Sequence, residues 1–211
     1  MPMTPGFLLE GAWYALEQCG LLLGDAALLF ENARYGTATC LALLAREELG
    51  KARILLALRL HLTPDDYSYL SLDDFPRDVL GNHLRKQAAS RVTPLVSVDK
   101  VLGERLQQVH DLGDRRKILE EWLPHAAARA PTERAELRLA ATYVDHVPNN
   151  DTWRRPVDFD ANQAQRELVA ANFDYSHFTR MVLVDAEEYQ DVREALTNWP
   201  ERPQLPPPSW T

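Results

Sequence analysis

One arginine and one histidine in this chain stand at a spacing that could do chemistry without a metal. Arg77-Asp-Val-Leu-Gly-Asn-His83 puts a guanidinium and an imidazole within two turns of a helix. Arginine neutralises a phosphate through paired hydrogen bonds. Histidine titrates near neutrality, so it can take a proton from a ribose 2′-hydroxyl or give one to a leaving group. Together they could cleave RNA. Arg85 and Lys86 follow directly and add cations for a phosphate backbone. The spacing alone has little specificity, since on the order of one or two such pairs arise by chance in this composition. Arg105-Leu-Gln-Gln-Val-His110 is a second. The bland alternative is surface charge on a helix.

Other chemistries find no pattern. A di-iron bundle needs Glu-x-x-His pairs. The residues three places before the histidines are Leu58, Leu80, Gln107, Trp122, Tyr143 and Asp174. HExxH, GxSxG and a phosphate-cradling glycine loop are also missing. Cys19 and Cys40 lie in apolar helical runs without metal-ligand spacing, and read as small core residues. Neither a metal nor a cofactor is expected.

The element that must position these groups is the run from Arg34 to Leu62. Leu41, Ala45, Glu48, Ala52 and Leu55 recur at helical period, widened by Leu44, Leu49, Leu56 and Leu60. This reading puts Glu48 on the core face, where a carboxylate needs a partner. Glu47 and Lys51 are spaced as an i,i+4 pair. Gly50 costs roughly 1 kcal/mol against alanine in a helix interior, which implies a close neighbour. Two readings follow: a packed core helix with one buried ion pair, or charges bordering a functional site.

Around it the chain reads as helices. Thr4-Pro5 caps and starts a first helix to about Ala33, with a stripe of Leu8, Ala12, Ala15, Cys19, Leu22, Ala26 and Leu29. Tyr35-Gly36 reads as a turn with Thr37 capping the next helix, so the first two helices should pack antiparallel. Further helices are expected from Pro76 to Ser90, Lys100 to Leu112, Asp114 to Ala130, Thr132 to Tyr143, Asp160 to Leu183 and Asp185 to Asn198. Val92–Val98 is a weak strand signal, broken by Pro94. Residues 145–158 read as a polar loop. The expected organisation is a single all-α domain over 1–198, then an extended, mobile, proline-rich tail over 199–211.

The 211 residues are 45% hydrophobic and 26% charged, the balance of a soluble globular protein. The net charge of −8 supplies no global basic field for nucleic acid or an anionic membrane. No basic leader precedes Phe7, and Glu10, Glu17 and Asp25 break the first apolar run, so neither a signal peptide nor a membrane span is expected. A cytoplasmic location follows.

Ala26-Ala-Leu-Leu-Phe-Glu-Asn-Ala-Arg-Tyr35, followed by Thr37 to Glu47-Glu48-Leu49-Gly50-Lys51, resembles the AbiV abortive-infection family within the HEPN superfamily. His83-Leu-Arg-Lys86 is similar to that family's His-x-x-Lys element. Arg138 with Tyr143-Val144-Asp145, then Trp153 and Pro156, is similar to its later segment. The resemblance spans about residues 8–180. It implies a HEPN-like helical bundle, here with additional C-terminal helices, that is commonly dimeric and serves phage defence. It also implies a metal-independent ribonuclease motif, which Arg77 and His83 fit as the catalytic pair. Lys86 and Arg85 would bind RNA phosphate, while Glu47, Glu48 and Lys51 would support the site. The alternative within the same family is a non-catalytic helical protein that arrests growth by binding the translation machinery or a phage protein. A homodimer, RNA, and a phage protein or antitoxin are the partners this implies.

Overall fold

Helix α1 (Pro5–Glu31) starts where Thr4 accepts the Phe7 amide on its side-chain oxygen at 3.1 Å, with proline in the first turn. This is the computed structural model of the chain. It describes residues 4–61, 86, 87, 89, 90, 108, 114, 118, 132–147 and 152–208. The expected strand over 92–98 lies outside these residues, as does most of the expected helices between 76 and 130.

Helix α2 (Tyr35–His61) follows after three residues, Asn32 to Arg34. Ala33 takes a positive φ of 56°, which reverses the chain. The turn therefore ends before Tyr35, and Gly36 sits in the first turn of α2 rather than in the connection. A Cβ on Gly36 would collide with the Pro156 carbonyl, so glycine is there for a close approach. The two helices run antiparallel. Arg59 near the end of α2 donates to the Pro5 carbonyl at 2.8 Å, while the Phe30 and Tyr35 rings meet at a tilt at the other end, 5.4 Å between centroids.

Helix α2 is the centre of the molecule. Ala38, Ala42, Leu43, Ala45, Leu49, Ala52, Ile54, Leu55, Leu56, Ala57 and Leu58 are all buried, which leaves no polar half. In the middle of the helix a narrow strip of Leu41, Leu44, Glu48 and Lys51 stays partly wet, and toward its ends so do Tyr35, Thr37, Cys40, Arg59 and Leu60. Glu48 thus faces outward, contrary to its expected place on the core stripe. The buried charges are its neighbours Arg46 and Glu47, with Arg53.

Helices α3 (Thr132–Thr142) and α4 (Ala161–Arg180) pack against α2. Between them residues 145–158, expected as loop, hold a small antiparallel hairpin, β1 (Asp145–Val147) and β2 (Thr152–Arg154), with His146 opposite Trp153. Strands of three residues are too short to show a period in sequence. Asp160 caps α4 through the Gln163 amide at 2.8 Å. Leu168, Ala171, Tyr175 and Phe178 turn to the core, whereas Phe173 is exposed. A π turn over Met181–Asp185 and a 3-10 turn over Glu187–Tyr189 lead to α5 (Gln190–Thr197). The architecture is all-α.

The proline-rich tail is extended but docked. Trp13 donates its indole N–H to the Pro203 carbonyl and Tyr175 its hydroxyl to the Pro206 carbonyl, both at 2.8 Å. Leu205 packs on the core, and Arg202 lies over the Trp13 ring. Residues 200–208 are thus part of the body of the protein, where a mobile segment was expected.

Candidate functional site

The middle of α2 carries the sequence Arg46-Glu47-Glu48-Leu49-Gly50-Lys51, and its side chains divide between two environments. Glu48 accepts from Lys51 at 2.7 Å on the half-wet strip. The i,i+4 pair of Glu47 with Lys51 does not form. Glu47 points inward instead and is 2% exposed.

Among the described residues, Lys86, Arg138 and Gln87 converge on the Glu47 carboxylate. Lys86 brings its ammonium to 3.8 Å from Oε2, and Arg138 of α3 its guanidinium to 3.3 Å from Oε1. Gln87 donates to Oε1 at 3.4 Å and to the Leu43 carbonyl at 2.8 Å. Lys86 and Gln87 are both buried. A buried carboxylate is tolerated only with such partners. Gly50 faces the same segment one turn later: a Cβ there would collide with the Lys86 carbonyl. The expected close neighbour of Gly50 is therefore the Lys86 backbone. Lys86, Gln87 and Ala89 are helical, and the Ser90 amide closes a turn on the Lys86 carbonyl at 3.0 Å.

A second ionic contact starts from the preceding residue of α2. Arg46 pairs with Asp174 of α4. About two turns further, Arg53 lies over the Phe178 ring at 5.0 Å. The side chains that α2 sends inward with charge on them thus tie it to α3, to α4 and to the segment at Lys86.

Of the residues expected to form the site, Glu47 and Lys86 meet. Glu48 and Lys51 pair with each other. Arg77, His83 and Arg85 lie outside the described residues. Sequence periodicity missed Arg46, Arg53, Gln87, Arg138 and Asp174. Charged residues on a helix whose other positions are almost all apolar were the available signal. Chemically, Glu47 is an anchor: its oxygens are turned to Lys86, Arg138 and Gln87. Among the described residues, no cluster of three or more His, Cys, Asp or Glu side chains could hold a metal.

Comparison with family models matches residues 7–176 to AbiV, a family of the HEPN type. The chain belongs to the AbiV family. An all-α HEPN-like bundle and an AbiV-type abortive-infection protein are what this membership supports. No curated protein and no solved structure matches the chain. The AbiV match includes the Glu47–Gly50 element, Lys86, Arg138 and Asp174, and also Arg77 and His83. It ends within α4, so α5 and the docked tail lie beyond it. None of the described helices is long and apolar enough to cross a membrane.

Proposed function

We propose that this AbiV-type protein defends against phage by cleaving RNA without a metal and so stopping translation. His83 is the general base or acid, and Arg77 binds the scissile phosphate. Arg85 adds a phosphate contact. The observation that carries the reading is the anchoring of Lys86 on α2. Lys86 ends the His83-Leu-Arg-Lys86 element, and its ammonium and backbone are both fastened to the Glu47–Gly50 turn. His83 stands three residues before that anchor in sequence, and a catalytic group needs the support of a rigid element. Lys86, buried beside Glu47, would reach a phosphate only by leaving that carboxylate, so we assign it to positioning before binding. Glu48 and Lys51 stabilise the outer strip of the same helix.

The active form is a cytoplasmic homodimer in this reading, with RNA as substrate and a phage protein or antitoxin as regulator. The test is expression of the wild-type chain and His83→Ala, with sequencing of RNA ends, sedimentation and circular dichroism. His83→Ala should abolish both growth arrest and new RNA ends while keeping the helical spectrum. Growth arrest that persists in His83→Ala without RNA fragments would instead support the non-catalytic binding protein.

A further inference from the structure

The outer face of α1 carries a feature that neither the fold nor RNA cleavage uses. Phe7, Tyr14, Leu21 and Leu28 recur every seven residues. They are 47%, 46%, 50% and 60% exposed, although the opposite side of the same helix is core. Seven-residue spacing drifts only about 20° per repeat on an α-helix, so the four side chains form one slowly winding stripe. Such a stripe is the seam that a second helix packs against. Tyr14 is already oriented: its hydroxyl donates to Glu10 at 3.1 Å, and its ring meets Trp199 edge-on at 5.9 Å. The docked tail covers the neighbouring edge at Trp13 and Gly20 and touches the stripe at Tyr14 through Trp199, while Phe7, Leu21 and Leu28 remain exposed.

Charge decides what fits there. Glu10, Glu17 and Glu31 flank the stripe on one side and Asp25 on the other, and α1 contains no Lys, Arg or His. A second copy of this helix, parallel or antiparallel, would set carboxylates against carboxylates across the seam, which disfavours self-association there. We infer that the Phe7–Tyr14–Leu21–Leu28 face of α1 is a docking site for a partner protein that presents a basic amphipathic helix, with apolar residues on the seam and Lys or Arg beside them. The site is independent of whether the chain cleaves RNA.

The probe is a synthetic helical peptide as long as α1, with leucines at heptad seam positions and lysines beside them. Its control replaces those lysines with glutamates. Binding is read by fluorescence anisotropy against the full chain, against Leu21→Gln/Leu28→Gln, and against Glu17→Gln/Glu31→Gln. The lysine peptide should bind the wild type in a salt-sensitive way and the glutamate peptide should not. Both double variants should weaken binding by about tenfold or more, with unchanged thermal unfolding because Leu21, Leu28 and Glu31 are exposed and Glu17→Gln keeps the shape of a half-buried side chain. Retention of full affinity by Leu21→Gln/Leu28→Gln would mean that the lysine peptide reads charge alone, and would overturn the inference. Equal binding of the two peptides would overturn it too. So would a wild-type dimer that this leucine double variant converts to monomer in sedimentation, since the occupant would then be a second copy.

Discussion

Glu47 and Glu48 are adjacent and chemically alike, yet their substitution should differ severalfold. Glu47→Ala leaves the buried Lys86 and the largely buried Arg138 facing each other with no anion between them. Removing one member of a buried ion pair costs about 3–5 kcal/mol. Glu48→Ala removes only a half-wet i,i+3 partner of Lys51, a loss of about 0.5 kcal/mol. Urea unfolding of the two variants measures the difference directly. Gly50→Ala tests the same contact through the backbone. In an open helix it would stabilise by about 1 kcal/mol. Here the added methyl must displace the Lys86 carbonyl, and overpacking costs about 1–3 kcal/mol. A net loss of stability is expected, and a gain would contradict the contact.

Between elements, the long antiparallel pair was legible and the details of its surroundings were not. Thr4-Pro5 and the short connection near residue 33 announce α1 and α2 because caps and turns are local chemistry. The tail was not legible, because proline runs read as extended whether or not something receives them. Its receivers are Trp13 and Tyr175, far away in sequence. A chain ending at Trp199 should lose these two part-buried hydrogen bonds, about 2 kcal/mol. Its midpoint in thermal melting should fall by roughly 4–8 °C. An unchanged midpoint would mean that the docked tail contributes nothing to stability.

Across the whole molecule, the core formed by α1, α2 and α4 encloses two groups that ionise at high pH. Burial pushes the Cys19 thiol well above its ordinary value of 9.0. Burial likewise raises the Tyr175 hydroxyl above 10.0. Both stay protonated in the folded chain where the unfolded chain would release them. Stability is therefore full below about pH 9 and falls as pH rises beyond it. Cys19→Ala should flatten the first part of that fall in denaturation curves taken between neutral and alkaline pH. For the same reason Cys19 should resist thiol reagents in the folded state, while the partly exposed Cys40 reacts.

The all-α class, the first two helices, the Asp160 cap and the family marks around Glu47–Lys51 were determined by sequence alone. Each is written in local patterns: capping residues, helical period and short spaced motifs. Which of two neighbouring glutamates is buried was decided only by the tertiary structure. On a helix apolar nearly all round, more than one stripe fits the period, and the wet strip is set by what packs against it. For α2 the packing comes from α1, α3, α4 and the segment at Lys86. Two partners of Glu47, Lys86 and Arg138, stand 39 and 91 residues further along the chain. Pairings at that separation leave no periodic trace, because only the folded chain brings the charges within reach of each other.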